Sequence, residues 1–266
     1  MVLAVVGCGG GGGGGGGSVG GSGDDPVTPP PPPMVSRQVA FEFLNQSTFG
    51  ATEAEAERVM AIGIEAWIDQ QLAMPASLQL PHLQSLPAPQ FMFELQPDRV
   101  DIWYRNVLNG DDQLRQRVAF ALSEIMVVSQ QGALIDGPLA LADYYDILAE
   151  NAFGNYRDLI EDITLHPAMG VYLSMLGNEK PDTDRNIRPD ENYARELMQL
   201  FSIGLVQLNP DGTEKLDAFS QPIPTYDQSV IEGFAHVFTG WNWDSVFGFE
   251  GAFPTPANQV LPMKLY

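Results

Sequence analysis

Nine consecutive glycines, Gly9–Gly17, followed by a second low-complexity stretch ending in the prolines Pro29–Pro33, bar the first 33 residues from any core. Glycine has no side chain to bury, and a proline run extends as a stiff spacer without internal hydrogen bonds. Folding is therefore confined to residues 34–266, a length that one hydrophobic core can serve.

Within that region apolar residues recur at helical spacing. Thr52 is placed to cap TEAEAERVMAIGIEAWIDQQL, with Glu55 as its capping-box partner. Ala56, Val59, Met60, Gly63, Ile64 and Trp67 supply the apolar side, and Gly63 would admit a close helix crossing. Pro75, Pro81, Pro87, Pro89 and Pro97 mark residues 75–97 as loop, which includes His82. A helix is expected over 98–108, and another where Leu114, Val118, Ala121, Leu122, Ile125 and Val128 repeat. Asp111 and Asp112 favour the start of that second helix, and Arg115 and Arg117 would serve acidic neighbours or solvent. His166-Pro167 divides two further helices, because proline disfavours helix in the residue before it. GLVQLNPDGTEKLD places Asp211-Gly212 between short apolar segments, the pattern of a small β-hairpin ended by Pro222 and Pro224. The expected fold is a mainly α, multi-helix globular domain with that hairpin as a projection.

The formal charge of -21, from 34 acidic residues against 13 Lys plus Arg, excludes general binding to the nucleic-acid backbone. It leaves cations, basic partners and neutral sugars open. Cys8 is the only cysteine, so no intrachain disulfide forms. Its setting, Val5-Val6-Gly7-Cys8, resembles a bacterial lipoprotein signal. The basic start of such a signal is missing and the apolar run is short, defects that an upstream start would repair. On this reading residues 1–8 are a truncated signal with Cys8 as lipid acceptor, and 9–33 a disordered Gly/Pro tether. The implied address is the bacterial cell envelope, lipid-anchored and periplasmic or surface-facing, with membrane contact through the lipidated N-terminus.

The chemistry-bearing residues gather in two places. In NIRPDENYARELMQLFSIGL, Pro189 suits a first helical turn, Asp190 and Glu191 favour the same end, and Glu191 and Arg195 pair at i,i+4. Glu196 lies beside the apolar stripe, a position for either an acid–base group or a helix-to-helix contact. PDTDRNIRPDEN offers Asp182, Asp184, Asn186 and Asp190 as hard oxygen ligands for a divalent cation such as calcium, although the EF-hand turn glycine is absent and Tyr193 stands where its bidentate acid belongs. In the second place, Glu232 and His236 share one helix face, where a distant His166 and Glu196 would complete a metal or acid–base site. The alternative for both histidines is structural, His166 closing a helix end and His236 bonding a nearby carboxylate. HExxH is absent, Ser123 and Ser202 do not lie in G-x-S-x-G elbows, and Gly9–Gly17 lacks the lysine and strand-to-helix setting of a phosphate loop. Trp241 and Trp243 offer either a rim for a sugar or peptide or helix-end packing.

FLNQSTFG, LRQRVAFALSEIMVVS, YYDILAENAFGNYRDLIEDITLHPAMGVYLSMLGN, NIRPDENYARELMQLFSIGL and YDQSVIEGFAHVFTGW occur in one order. Together they resemble the bacterial family called domain of unknown function 1800, from about Arg37 to Tyr266. The resemblance implies an exported, mostly helical protein and transfers no reaction. It marks Asn186, Arg188, Asp190, Glu191, Arg195, Glu196 and His236 as candidate positions without assigning them roles. It also implies further residues beyond VLPMKLY. Two functions follow as expectations. One is an envelope-tethered binding or assembly domain, with Arg195, Trp241 and Trp243 facing an envelope protein or glycan. The other is a metal-assisted hydrolase using Glu196 and His236 as acid–base groups, with Glu232 and His236 as ligands.

Overall fold

A computed structural model describes residues 35–266 of the chain. The lipid acceptor expected at Cys8, with the signal expected over 1–8 and the tether over 9–33, lies outside the described residues. Among the described residues eleven α-helices carry the fold, with one short antiparallel strand pair.

The chain enters through α1 (Arg37–Ser47), capped by Ser36, whose hydroxyl accepts from the Val39 N–H. It ends where the hydroxyls of Ser47 and Thr48 turn back onto the carbonyls of Phe43 and Leu44. Thr52 caps α2 (Glu53–Ile62) as its sequence position predicts. The Glu55 carboxylate does not close the capping box; it accepts from Arg58 and from the Trp67 indole instead. The single helix expected through residue 72 is broken at Gly63, whose φ of 86° and ψ of 159° only glycine adopts readily. α3 (Ile64–Ala73) therefore folds back, and Ala40, Leu44, Ala56, Val59 and Trp67 close a separate apolar cluster.

The supposed loop at 75–97 contains α4 (Leu80–Ser85) and a 3₁₀ turn at Met92–Leu95. Proline at N1 or N2 starts the helix and does not forbid it. A distant carboxylate completes the start: Asp146 accepts from the Gln79 and Leu80 N–H groups at 2.7 and 2.8 Å. α5 (Gln96–Asn109) and α6 (Gln113–Ser123) follow. Arg115 does not serve an acid here. Its guanidinium donates to the carbonyls of Ala149, Glu150 and Met74 and stands over Phe153. Arg117 lies over Phe49 and Phe120.

α7 (Pro138–Glu150) is the central helix. Leu139, Ala140, Leu141, Ala142, Tyr144, Leu148 and Ala149 are buried, the pattern of a helix enclosed on most sides. Around it pack α6, α8 (Tyr156–Leu165) and α9 (Pro167–Tyr172). α10 (Asn192–Gln199) contributes Tyr193 to the same core and meets α11 (Gln228–Val237) through Ala194, Met198, Ile231 and Ala235.

Between α10 and α11 the expected hairpin has a third arm. Val206 pairs with Pro224, Leu208 with Glu214, and Leu216 with Pro222. Three backbone bonds close a ring: Gln207 N–H to Ile223 O, Ile223 N–H to Lys215 O, and Lys215 N–H to Gln207 O. Pro222 and Pro224 do not end the pairing, because the neighbouring Ile223 and Thr225 supply the donors that proline lacks. Finally, β1 (Trp241–Asn242) pairs antiparallel with β2 (Lys264–Leu265), returning the last residues to the helical body.

Candidate functional site

Asn178 anchors the region that faces α11. Its side-chain oxygen accepts from the Asp190 N–H at 2.8 Å and its amide donates to the Asp190 carbonyl at 3.3 Å. Its own carbonyl accepts from Gly240 N–H at 2.9 Å, while Gly177 N–H donates to Trp241 O at 2.8 Å. One buried asparagine thus fixes both the approach to α10 and the entry to β1. Between them the 182–187 loop closes by paired bonds between Asp182 and Ile187. Asn186 turns it with a φ of 54°, a conformation that asparagine tolerates.

This frame holds Arg188 and Pro189 opposite the middle of α11. A cleft of about 560 Å³ lies between them, lined by Pro181, Arg188, Pro189, Glu191, Glu232 and His236 among others. Asp227 starts α11 by accepting from the Ser229 and Val230 N–H groups, which sets the phase that turns Glu232 and His236 into the cleft. Glu191 Oε2 accepts from Arg195 Nη2 and from Gln228 Nε2, each at 2.9 Å. The same Gln228 nitrogen approaches Glu232 Oε1 at 3.5 Å, so one amide sits between two carboxylates. Arg188 has no ion pair and the His236 ring no hydrogen bond among the described residues. The cleft therefore presents carboxylate acceptors, a free guanidinium and a free imidazole, beside the flat faces of two prolines.

Of the residues singled out from sequence, Glu232 and His236 come together here, and Arg195 reaches the cleft through Glu191. Glu196 does not line it; one carboxylate oxygen, Oε2, is buried without a hydrogen-bond partner. His166 does not join either. Its Nδ1 accepts from Ala168 N–H at the start of α9, its Nε2 lies 3.2 Å from Asp143 Oδ2, and Tyr144 packs on its ring. The helix-closing role holds for His166, whereas the carboxylate partner expected of His236 is not formed.

The oxygens of Asp182 are turned inward onto their own loop, accepting from the Asp184 and Arg185 N–H groups and from the Arg185 guanidinium. Those bonds, that to the guanidinium foremost, hold its carboxyl below the usual range. Asp184 is exposed at the turn. Among the described residues no group of three or more His, Cys, Asp or Glu side chains is gathered closely enough to hold a metal ion.

The tryptophans do not form an exposed rim. Trp243 is 8 % exposed and Trp241 packs on the main core, because pairing of β1 with β2 draws both against the body. Two residues that shape this cleft are barely marked in the sequence. Gln228 carried a faint signal, its i,i+4 spacing from Glu232. Asn178 carried none, since every partner it holds is distant in sequence.

The family model described as "Protein of unknown function (DUF1800)" matches residues 42–264. No curated protein and no solved structure matches the chain.

Proposed function

The chain belongs to the DUF1800 family, and from that premise we propose that it is an envelope-tethered binding protein whose α10–α11 cleft takes a small acidic glycan. The observation that carries this reading is the juxtaposition of an unpaired Arg188 with the Glu191–Gln228–Glu232 cluster in one cleft. Arg188 supplies two parallel donors for a ligand carboxylate. The carboxylates and the amide accept from and donate to hydroxyls, and Pro181 and Pro189 give a flat surface for a sugar ring. The cleft volume suits a ligand of one or two sugar units. The envelope address rests on the motif around Cys8 and the Gly/Pro tether. No helix among the described residues is long and apolar enough to cross a membrane. The proposed anchor is a lipid on Cys8, on the sequence motif alone.

The test is calorimetric titration of the full chain with a cell-wall disaccharide bearing a muramyl carboxylate. Saturable binding, weakened at least tenfold by Arg188→Ala and by Glu232→Gln, is expected. Binding indifferent to both substitutions would remove the reading. Labelling of the chain by fatty acid, abolished by Cys8→Ala, checks the anchor.

A second reading, metal-assisted hydrolysis, is favoured by Glu232 and His236 facing one cleft. It needs a third donor, which a ligand or a movement of Glu191 would have to supply. Stoichiometric retention of a transition metal by the wild type, lost in His236→Ala, would replace the binding reading with this one.

A further inference from the structure

A second cavity, of about 430 Å³, opens between α5, α6 and α7 and takes no part in the cleft described above. Its walls are aromatic: Trp103, Tyr104, Phe120 and Tyr145. Trp103 and Tyr104 meet edge-on, with ring centroids 4.9 Å apart and planes at 78°, and Phe120 lies 6.2 Å from Trp103. Such a corner of steeply inclined rings receives a planar apolar body by edge and face contacts together.

Arg99 forms the polar end of the cavity. It is only 8 % exposed, yet no carboxylate pairs with it among the described residues. Its Nε donates to Gln96 Oε1 at 3.0 Å and its Nη2 to Gln130 Oε1 at 2.7 Å, both neutral amides. Nη1 donates to no group among the described residues, and the guanidinium stands over the Tyr145 ring. Buried charges are as a rule paired. Here burial pulls the guanidinium pKa down, the opposite of what an anion beside it would do. The Tyr145 hydroxyl also makes no hydrogen bond among the described residues.

We propose that this cavity is a binding site for an aromatic monocarboxylate, its ring among Trp103, Tyr104 and Phe120 and its carboxylate on Arg99 with the Tyr145 hydroxyl as an added donor. One guanidinium balances one negative charge. The exposed Glu124 at the rim opposes a second, so dianions such as phosphate esters are disfavoured. Glutamate at that position is thus a selectivity element, and the carboxylate–Arg99 bond is the affinity element.

The experiment titrates the full chain with 2-naphthoate and, separately, with neutral 2-naphthamide, reading heat and the indole N–H signals. The acid is expected to bind saturably and at least tenfold more tightly than the amide, and to shift the signal that Trp103→Phe deletes. Arg99→Gln should bring the acid down to the amide's affinity, and Glu124→Gln should tighten the acid severalfold while leaving the amide unchanged. Should Arg99→Gln not fold, the wild-type acid-to-amide ratio and the Glu124→Gln effect decide the matter unaided. Equal affinities for acid and amide, absence of saturable binding, or binding that leaves the Trp103 signal unmoved would each overturn the proposal.

Discussion

Carboxylates in this chain differ by how fully their oxygens are engaged, and two of them make different predictions. Asp112 is 1 % exposed and fully engaged, accepting from Ser77 N–H, the Ser77 hydroxyl and the Gln116 amide. Replacing it with alanine strands three donors, so Asp112→Ala should cost about 2–3 kcal/mol, read from urea denaturation midpoints. Glu196 instead carries a buried oxygen with no partner. The residue is half-buried and that oxygen has no bond to lose, so Glu196→Gln should be near neutral, within about 0.5 kcal/mol. A loss comparable to that of Asp112→Ala would mean that Glu196 has a polar partner. Sequence reading distinguished neither residue by this criterion. The chain marks Asp112 as a helix-start acid, but its bonds to Ser77 depend on a loop 35 residues away. Glu196 was visible as an acid beside an apolar stripe, while the absence of a partner was not.

Elements were legible where their causes are local. Thr52 and Asp227 announce the helices they cap, and the stripe of α10 is plain in the chain. Proline misled twice, in α4 and in the α10–α11 projection, because partners remote in sequence satisfy the backbone there. Gly63 misled in the other direction: a lone glycine within a helical pattern reads as tolerated, yet here it divides two helices. Its surroundings leave open space for a methyl group, so the backbone angles alone decide the effect of Gly63→Ala. The expected loss is about 1–3 kcal/mol, measured by chemical denaturation. A stabilising effect would instead indicate that α2 and α3 straighten into the continuous helix the sequence suggests. The strand pair β1–β2 was equally hidden, since two residues a side present no alternating pattern. Asn178 joins that pair to the start of α10. Asn178→Ala should therefore weaken ligand affinity in the α10–α11 cleft as well as stability, whereas Asp112→Ala, which touches neither element, should lower stability alone.

At the scale of the whole molecule, the mainly helical class and the charge excess follow from composition and periodicity, but the pH response depends on how individual carboxylates are buried. The unit described carries most of the acidic excess, and that self-repulsion eases as carboxylates take up protons. Asp146 acts in the same direction. Burial raises its pKa from 3.8 to about 7 against the opposing pull of the Gln79 and Leu80 N–H bonds. Between those two values the folded chain retains a proton that the unfolded chain has released. Stability from this group is therefore greatest below 3.8 and falls as pH rises through about 7. The depressed carboxyls of Asp182, Asp211 and Asp227 work the other way, losing their contribution as pH falls, but all three are at the surface where solvent screens them. The melting temperature should accordingly rise as pH is lowered from 8 to about 5, the window set by Asp146. Added salt at pH 8 should recover only the part due to surface repulsion. Asp146→Asn keeps one side-chain acceptor at the start of α4 and has no proton to exchange, so its melting temperature should depend on pH markedly less than that of the wild type. An equal slope in the two proteins would assign the whole response to surface charge and place Asp146 outside it.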